Sequence, residues 1–478
     1  MSKFNSPRPT IKTVNNEGHV AYSMKPKAKL ITQVLTSFFN EKKFYGDNSA
    51  EMQELIPQVI KEDPEFVSNL AVFARREFNM RSVSHVLTAY LAHEVEGKPF
   101  VRKTVKGVAL RGDDITEIMS FYLATFGKPI PNSLKKGVND VLKTFDEYTL
   151  AKYKGSGKEM KMRDLICLCH PNPVDKDQED LWKRCLEDKL ETPYTWETEL
   201  SAKGNKKEVW EELIASKKLG YMAVLRNLRN ILKANPYNLD DALNYISNPN
   251  AVKKSKQLPF RFLSAYNSVK DSCTSKILDA LEDAVDASVE NLPRLPGTTV
   301  IAIDISGSMS WGGISKDSEI RPVDIALLLG IIANRICDDS VIYFFNHNIS
   351  RAVISKRGGI LQTVTSFNKC GGGTNMYLPF RAMINEKLKA DRIIILSDNE
   401  VNSCWGSRPV QSLADEYRRV TGNDIWVHGI DLQGYGTQQF YGAKTNIITG
   451  WSEKIFEFIP LAEQGEGTLE KRINEYVW

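Results

Sequence analysis

The residues best suited to chemistry lie in the run Asp304-Ile305-Ser306-Gly307-Ser308. A carboxylate and two hydroxyls at alternate positions on one turn can converge on a single hard cation. Mg2+ fits such a set, because it takes oxygen donors in near-octahedral geometry and usually keeps positions for water or a partner's group. Two further pieces supply what the triplet lacks. Cys370-Gly371-Gly372-Gly373-Thr374 is a glycine loop ending in a hydroxyl, and the apolar run Ile393 to Leu396 leads through Ser397 into the carboxylate of Asp398. The bland reading makes Asp304 a helix cap and the serines turn residues, but it leaves Thr374 and Asp398 as coincidence.

Other constellations carry less. Cys167-x-Cys169-His170 has no second Cys/His pair at finger spacing, so zinc is disfavoured. The loop at Gly371 lacks the lysine of a phosphate-binding loop. No Ser/His/Asp order or paired-carboxylate motif supports hydrolysis, and His347 and His428 have no evident partner in the sequence.

The elements that must hold the cation donors follow from hydrophobic patterning. The β-branched run Thr298 to Ile303 reads as a buried strand of a parallel sheet, and ligands in such sheets bind beyond the carboxyl ends of the strands. After it the pattern alternates: helix 322–337, strands 340–346 and 350–355, helix 376–388, strand 392–397, helix 409–421, strands 424–430 and 445–449, then terminal helices. That is a doubly wound α/β domain, 298–478. Before it, 25–292 reads as helix throughout. Leu30, Ile31, Val34, Leu35, Phe38 and Phe39 share one helical face, and short helices follow with brief connections, as in a HEAT-like solenoid. Residues 1–24 read as an irregular arm, and Leu292 to Gly297, with two prolines, as the boundary.

A chain of 478 residues implies two or three domains. Its 42% hydrophobic and 26% charged residues are those of an ordinary globular protein, which excludes fibrous and disordered classes. No apolar run of about 18 residues suggests a membrane span. Seven cysteines without tight spacing argue for free thiols in a reducing compartment, hence a cytoplasmic location. Net charge is +4, with 45 Lys+Arg against 39 Asp+Glu in 1–295 and 18 against 20 beyond it. The basic excess therefore lies in the helical part, where it permits an anionic partner without demanding one. Lys135, Lys136, Lys152 and Lys154 are read either as a phosphate-binding face or as a solvated face balanced by Asp140, Asp146 and Glu147. Arg226 and Arg229 share a helix face and are read either as facing a nucleic acid or as paired with Glu211 or Glu212.

The metal residues, in chain order, resemble the metal-ion-dependent adhesion site of the von Willebrand factor A fold. On that resemblance Asp304, Ser306 and Ser308 coordinate directly, and Thr374 and Asp398 directly or through water. Several helical stretches resemble the TROVE domain of the Ro autoantigen family: Arg75 to Val83, Leu134 to Lys136, Phe145 to Lys154, Arg163 to Pro171, Leu225 to Asn230 and Pro259 to Tyr266. Ser397 to Glu400 and Gly450-Trp451-Ser452 fit the pairing of the two domains. The resemblance covers nearly the whole chain. It implies an all-α HEAT-like ring followed by an α/β von Willebrand factor A domain, and an RNA-binding protein without catalysis of its own. Small noncoding (Y-like) RNA would bind the outer surface, where Lys152 and His170 match the family's contacts and Lys154 and Arg163 are neighbours in sequence. The connection 155–159 departs from animal members. The 3′ ends of misfolded structured RNA would enter the hole, in quality control or in tethering an exoribonuclease through RNA; membrane and DNA are not expected partners. A protein-binding adaptor, whose metal grips a partner's carboxylate, and a metal-dependent nuclease are the alternatives.

Overall fold

In the computed structural model the described residues are 12–14, 20–22, 25–36, 49–95, 99–155, 159–310, 320–399, 401, 410–432, 439–442, 444–449, 454–464 and 468–478. Glu400, residues 156–158 and Gly450-Trp451-Ser452 lie outside them. Two short strands, β1 (Lys12–Val14) and β2 (Val20–Tyr22), pair antiparallel where an irregular arm was expected.

The α/β layers are built on six strands: β3 (Leu295–Asp304), β4 (Cys337–Phe345), β5 (Ile349–Ala352), β6 (Arg392–Ser397), β7 (Trp426–Asp431) and β8 (Thr445–Thr449). Their order is β5-β4-β3-β6-β7-β8, parallel except for β5. The chain leaves β3 on one side and returns to β6 on the other, so the sheet switches direction at the carboxyl ends of those two strands, where ligands bind in open α/β sheets. On one face Val300, Ala302, Tyr343, Ile395, Phe380, Tyr417 and Phe440 form a closed core. On the other lies the helix Pro322–Ile336, buried along nearly its whole length. Gly330 permits its approach, since a Cβ there would come within 2.3 Å of the Ile303 side chain. Pro296 and Gly297, read as a domain boundary, fall inside β3 at an irregularity in its register with β4.

The helical part consists of short helices packed side by side, as the solenoid pattern predicts. Pro64 and Asp63 show how one begins: the proline stands in the first turn and Asp63 accepts the Phe66 N–H at 3.0 Å. Pro99–Val108 is one of them, with Val101, Val105 and Val108 buried. The stretch 221–234, within the region read as helix throughout, is two helices, Tyr221–Arg226 and Leu228–Ala234, broken at buried Asn227, whose amide donates to the Ala223 carbonyl at 2.9 Å.

The chain forms two compact units, which cut across the expected boundary. The described residues of Lys25–Leu35, Phe39–Thr198 and Gly467–Trp478 make one; those of Glu199–Glu466 belong to the other. In the first, Asp114 is the hub. Its buried carboxylate receives Arg81 Nε at 2.6 Å, Arg75 Nη2 at 3.1 Å and the N–H groups of Leu110 and Arg111 at 2.9 and 2.8 Å. Burial alone would raise its pKa, but the His85 bond and the charges of Arg81 and Arg75 outweigh it and hold the carboxyl far below the usual range. The last helix, Thr468–Asn474, packs in the same unit: Tyr476 donates to Glu77 at 2.6 Å and Trp478 to Asn69 at 3.2 Å. In the second unit the helix Ser275–Val289 is bound to the α/β layers, through Asp286 to Arg335 at 2.5 Å.

Candidate metal centre and nucleic-acid interface

The residues expected to hold a cation gather at the switch point of the sheet. Asp304 ends β3 and Asp398 follows β6; both are fully buried, as are Ser306 and Thr374, whereas Ser308 is exposed. The turn is drawn tight by Asp304 Oδ1, which accepts the Ser306 N–H at 2.8 Å, and Ser306 Oγ lies 3.2 Å from Ser308 Oγ. The glycine loop is stitched to this turn: Gly371 N–H donates to the Ile305 carbonyl at 3.0 Å, and Gly307 N–H to the Gly372 carbonyl at 2.9 Å. Asn346 holds the loop from β4, its amide donating to the Gly371 carbonyl at 2.7 Å. Gly372 is required twice over. Its φ is +78°, and a Cβ would fall 2.0 Å from His347 Nδ1.

Electrostatics favour a cation here. Burial, together with the neighbouring Asp398 carboxylate, pushes the Asp304 carboxyl well up; hydrogen bonds from Ser397 and Ser306 only partly offset this. Two buried carboxylates facing one another are stabilised by a positive ion between them. Every donor is oxygen, and among the described residues no group of three or more His, Cys, Asp and Glu gathers as a transition-metal site would require. The set fits Mg2+, and Ser308 marks the side open to solvent.

Ser397 escaped sequence reasoning. It directly follows Leu396, the register partner of Ile303 across β3 and β6, and donates its hydroxyl to Asp304 Oδ2 at 2.6 Å, fixing the carboxylate that heads the site. Asp431, buried at the end of β7, is in register with Ser397, so three strand ends carry acid, hydroxyl and acid in one row. The signal was the position: each is the last residue of a buried strand. His428, without an evident partner in the sequence, is buried against Glu463 at 2.9 Å, and Arg392 closes the network with Nε 2.6 Å from the same carboxylate. It is a core group distant in register from the strand ends.

The basic residues lie on the first unit. Lys136, Lys152, Lys154, Arg163 and His170 are exposed and Lys135 is half-buried. Helix Asn132–Leu142 meets the end of helix Met162–Cys169, since Asn139 donates to the Cys169 carbonyl at 3.0 Å. Lys135, one turn before Asn139, therefore shares a neighbourhood with His170, the left-handed residue (φ +48°) that stops the second helix. The acids that could have balanced the lysines are engaged elsewhere. Asp140 binds Arg102 at 2.5 and 2.7 Å, Asp146 caps its own helix through Thr149 N–H at 2.8 Å, and Glu147 pairs with Arg184. Lys154 is matched by Asp188 at 3.6 Å, and Arg163 lies 3.9 Å from Asp164, a carboxylate that also accepts the Lys161 N–H at 2.8 Å. Arg226 and Arg229, in the second unit, are exposed, while Glu211 and Glu212 take Lys207 and Lys203 instead. Cys169 and Cys185 are buried and Cys167 is exposed; burial pushes the Cys169 thiol up to about 12, far from a thiolate ligand.

The TROVE domain matches this chain over residues 19–188 and 183–278, and the Ro60 vWA domain over 298–427. Telomerase protein component 1 of Rattus norvegicus is 25% identical over 325 residues, 50% of this chain and 12% of that protein. The RNA-binding protein RO60 of Deinococcus radiodurans is 24% identical over 221 residues, 42% of this chain and 41% of that protein. The alignments thus span 12% and 41% of these relatives' own lengths. The crystal structure of the Deinococcus radiodurans RO (RSR) protein shares the fold, with a TM-score of 0.66 at 16% identity over 94% of this chain and 99% of that one.

Proposed function

Since this chain belongs to the TROVE domain family and carries a Ro60-type vWA domain behind it, we propose that it is an RNA-binding protein of the Ro type, without catalysis of its own. The observation that carries the reading is the pair of exposed cations Lys136 and Lys152 and, beside them, Lys135, whose sequence-neighbouring acids Asp140, Asp146 and Glu147 are tied to other groups. Unneutralised cations on short helices suit phosphates of irregular RNA, whose affinity they dominate. We assign small noncoding, Y-like RNA to Lys135, Lys136, Lys152, Lys154, Arg163 and His170. Lys154 contributes least, its charge being shared with Asp188. Single-stranded 3′ ends of misfolded RNA are assigned to Arg226 and Arg229. The role is RNA quality control or the tethering of an exoribonuclease through RNA, in the cytoplasm; among the described residues no helix is long and apolar enough to cross a membrane.

Asp304, Ser306, Ser308, Thr374 and Asp398 would hold Mg2+, or Mn2+ in its place. The ion would supply a positive centre able to accept a carboxylate from a protein partner. The protein itself positions the donors: Ser397 orients Asp304 and the Gly371–Gly372 loop is hydrogen-bonded to the turn that carries the serines. Phosphoryl-transfer sites usually gather more carboxylates than these two.

Filter binding of a labelled structured RNA tests the reading. Binding is expected to weaken steeply with salt, to survive EDTA, and to leave the RNA uncut in Mg2+. Loss of binding in EDTA would favour the metal-dependent adaptor, and cleavage abolished by Asp304→Ala would favour the nuclease.

A further inference from the structure

Between the turn at Arg111 and the end of helix Glu147–Lys152, cations and phenol rings alternate. The Arg111 guanidinium lies 5.6 Å from the centre of the Tyr153 ring. Lys152 Nζ stands 5.6 Å from the same ring and 5.4 Å from that of Tyr148, and donates to Tyr148 Oη at 3.4 Å. Gly112 allows this, for a Cβ there would come within 2.5 Å of the Tyr153 ring. Tyr148 is 49% exposed, and the Arg111 side chain 51%.

Packing alone does not account for the arrangement. An exposed cation–π contact contributes less than burying the ring would. Tyr237, more exposed still at 77%, has no cation over its ring among the described residues, which is how a scattered surface aromatic looks. The charges here also remain available. Lys152 makes no ion pair among the described residues; Arg111 shares Asp113 at 3.2 Å with Arg81 at 2.8 Å, so one carboxylate faces two guanidinium groups.

We propose that Tyr148 and Tyr153, with Lys152 between them and Arg111 beyond, form a stacking platform for unpaired bases of a single-stranded RNA segment, with the flanking phosphates on the two cations. The inference rests on the RNA-binding reading above and adds the conformation of the nucleotides bound. Bases splayed from a loop or tail offer a π-face to tyrosine, whereas paired bases inside an A-form helix do not. Stacking on an aromatic side chain tolerates any base, so the platform selects for absence of pairing rather than for sequence.

The test uses the full chain with a fluorescein-labelled oligoadenylate of about twelve nucleotides, within the usual site size of single-strand binders, and a blunt, fully paired RNA duplex. Tyr148→Ala is expected to weaken the oligoadenylate roughly ten-fold or more, with the salt slope unchanged, the duplex unaffected and Tyr148→Phe binding like wild type. A 2-aminopurine placed in the oligonucleotide should be quenched on binding and less so by Tyr148→Ala. If wild type binds the oligonucleotide and Tyr148→Ala binds it equally well, the platform is wrong and the RNA-binding reading stands. A variant weakened equally for both RNAs has a structural role, which also overturns the platform. Wild type that binds neither RNA overturns both readings.

Discussion

Glu282, on the last helix of the helical region, accepts the backbone N–H of Ile360, 78 residues further on, at 2.8 Å. The same carboxylate takes the N–H groups of Leu361 and Gln362 at 3.2 and 2.9 Å, so it caps the helix Ile360–Thr365 from outside. Gly359 precedes that helix and has no side chain to cap with. Its Cβ would in any case meet Glu282 Oε1 at 2.6 Å. Glu282→Ala is therefore expected to lower stability by about 1–2 kcal/mol, the usual worth of a cap, read as a shift in the urea midpoint. An unchanged midpoint would show the cap to be dispensable.

At the metal centre, Asp304→Ala should abolish Mn2+ binding in calorimetry and leave RNA affinity intact. Charge dominates hard-cation affinity, and Asp304 is one of two carboxylates among the five proposed donors. Ser306→Ala should weaken binding less than Asp304→Ala, and Ser397→Ala, which releases the Asp304 carboxylate from its 2.6 Å bond, should weaken it without removing a donor. Undiminished Mn2+ binding by Asp304→Ala would sink the assignment.

Acid should expose the Arg392–Glu463–His428 network. Burial raises the Glu463 carboxyl, but the bonds from His428 and Arg392 outweigh this and bring it down to about 2 from an ordinary value of 4.5. A depressed carboxylate contributes stability that is full above its unfolded pKa and disappears as pH falls through the folded one. Wild type should thus lose this contribution between about pH 4.5 and 2, and Glu463→Gln should start less stable at neutral pH and lose less over that window. Parallel pH–stability curves for the two proteins would remove Glu463 as the cause.

How far this was legible differs from residue to residue. Asp304 and Asp398 were readable because each follows a continuous apolar run, and buried parallel strands put their carboxyl ends at the ligand side. Ser397 was overlooked beside Asp398, since its role depends on register between β3 and β6 rather than on spacing in one strand. The availability of Lys135, Lys136 and Lys152 could not be read locally: the partners that remove Asp140 and Glu147 are Arg102 and Arg184, 38 and 37 residues away. Glu282 and the last helix were opaque for the same reason. Each makes its contacts across tens or hundreds of residues, and no periodicity within a segment records them.

The placement of RNA can be separated into charge and contact. Lys152 and Arg163 are exposed cations, and each neutralised phosphate adds roughly 0.7–0.9 to the slope of log K against log salt. Lys152→Ala combined with Arg163→Ala should therefore flatten that slope by roughly one to two units. Lys154→Ala should change it less, because Asp188 already offsets its charge. His170, exposed, offers an aromatic ring or a hydrogen bond instead. His170→Ala should weaken binding with the slope nearly unchanged. Glu substitutions at Arg226 and Arg229 should impair an RNA with a single-stranded 3′ tail and spare a small structured RNA lacking one. Both RNAs, titrated by filter binding across a salt series, distinguish these outcomes. If all of these variants bind both RNAs with wild-type affinity and slope, RNA lies on some other surface of the protein.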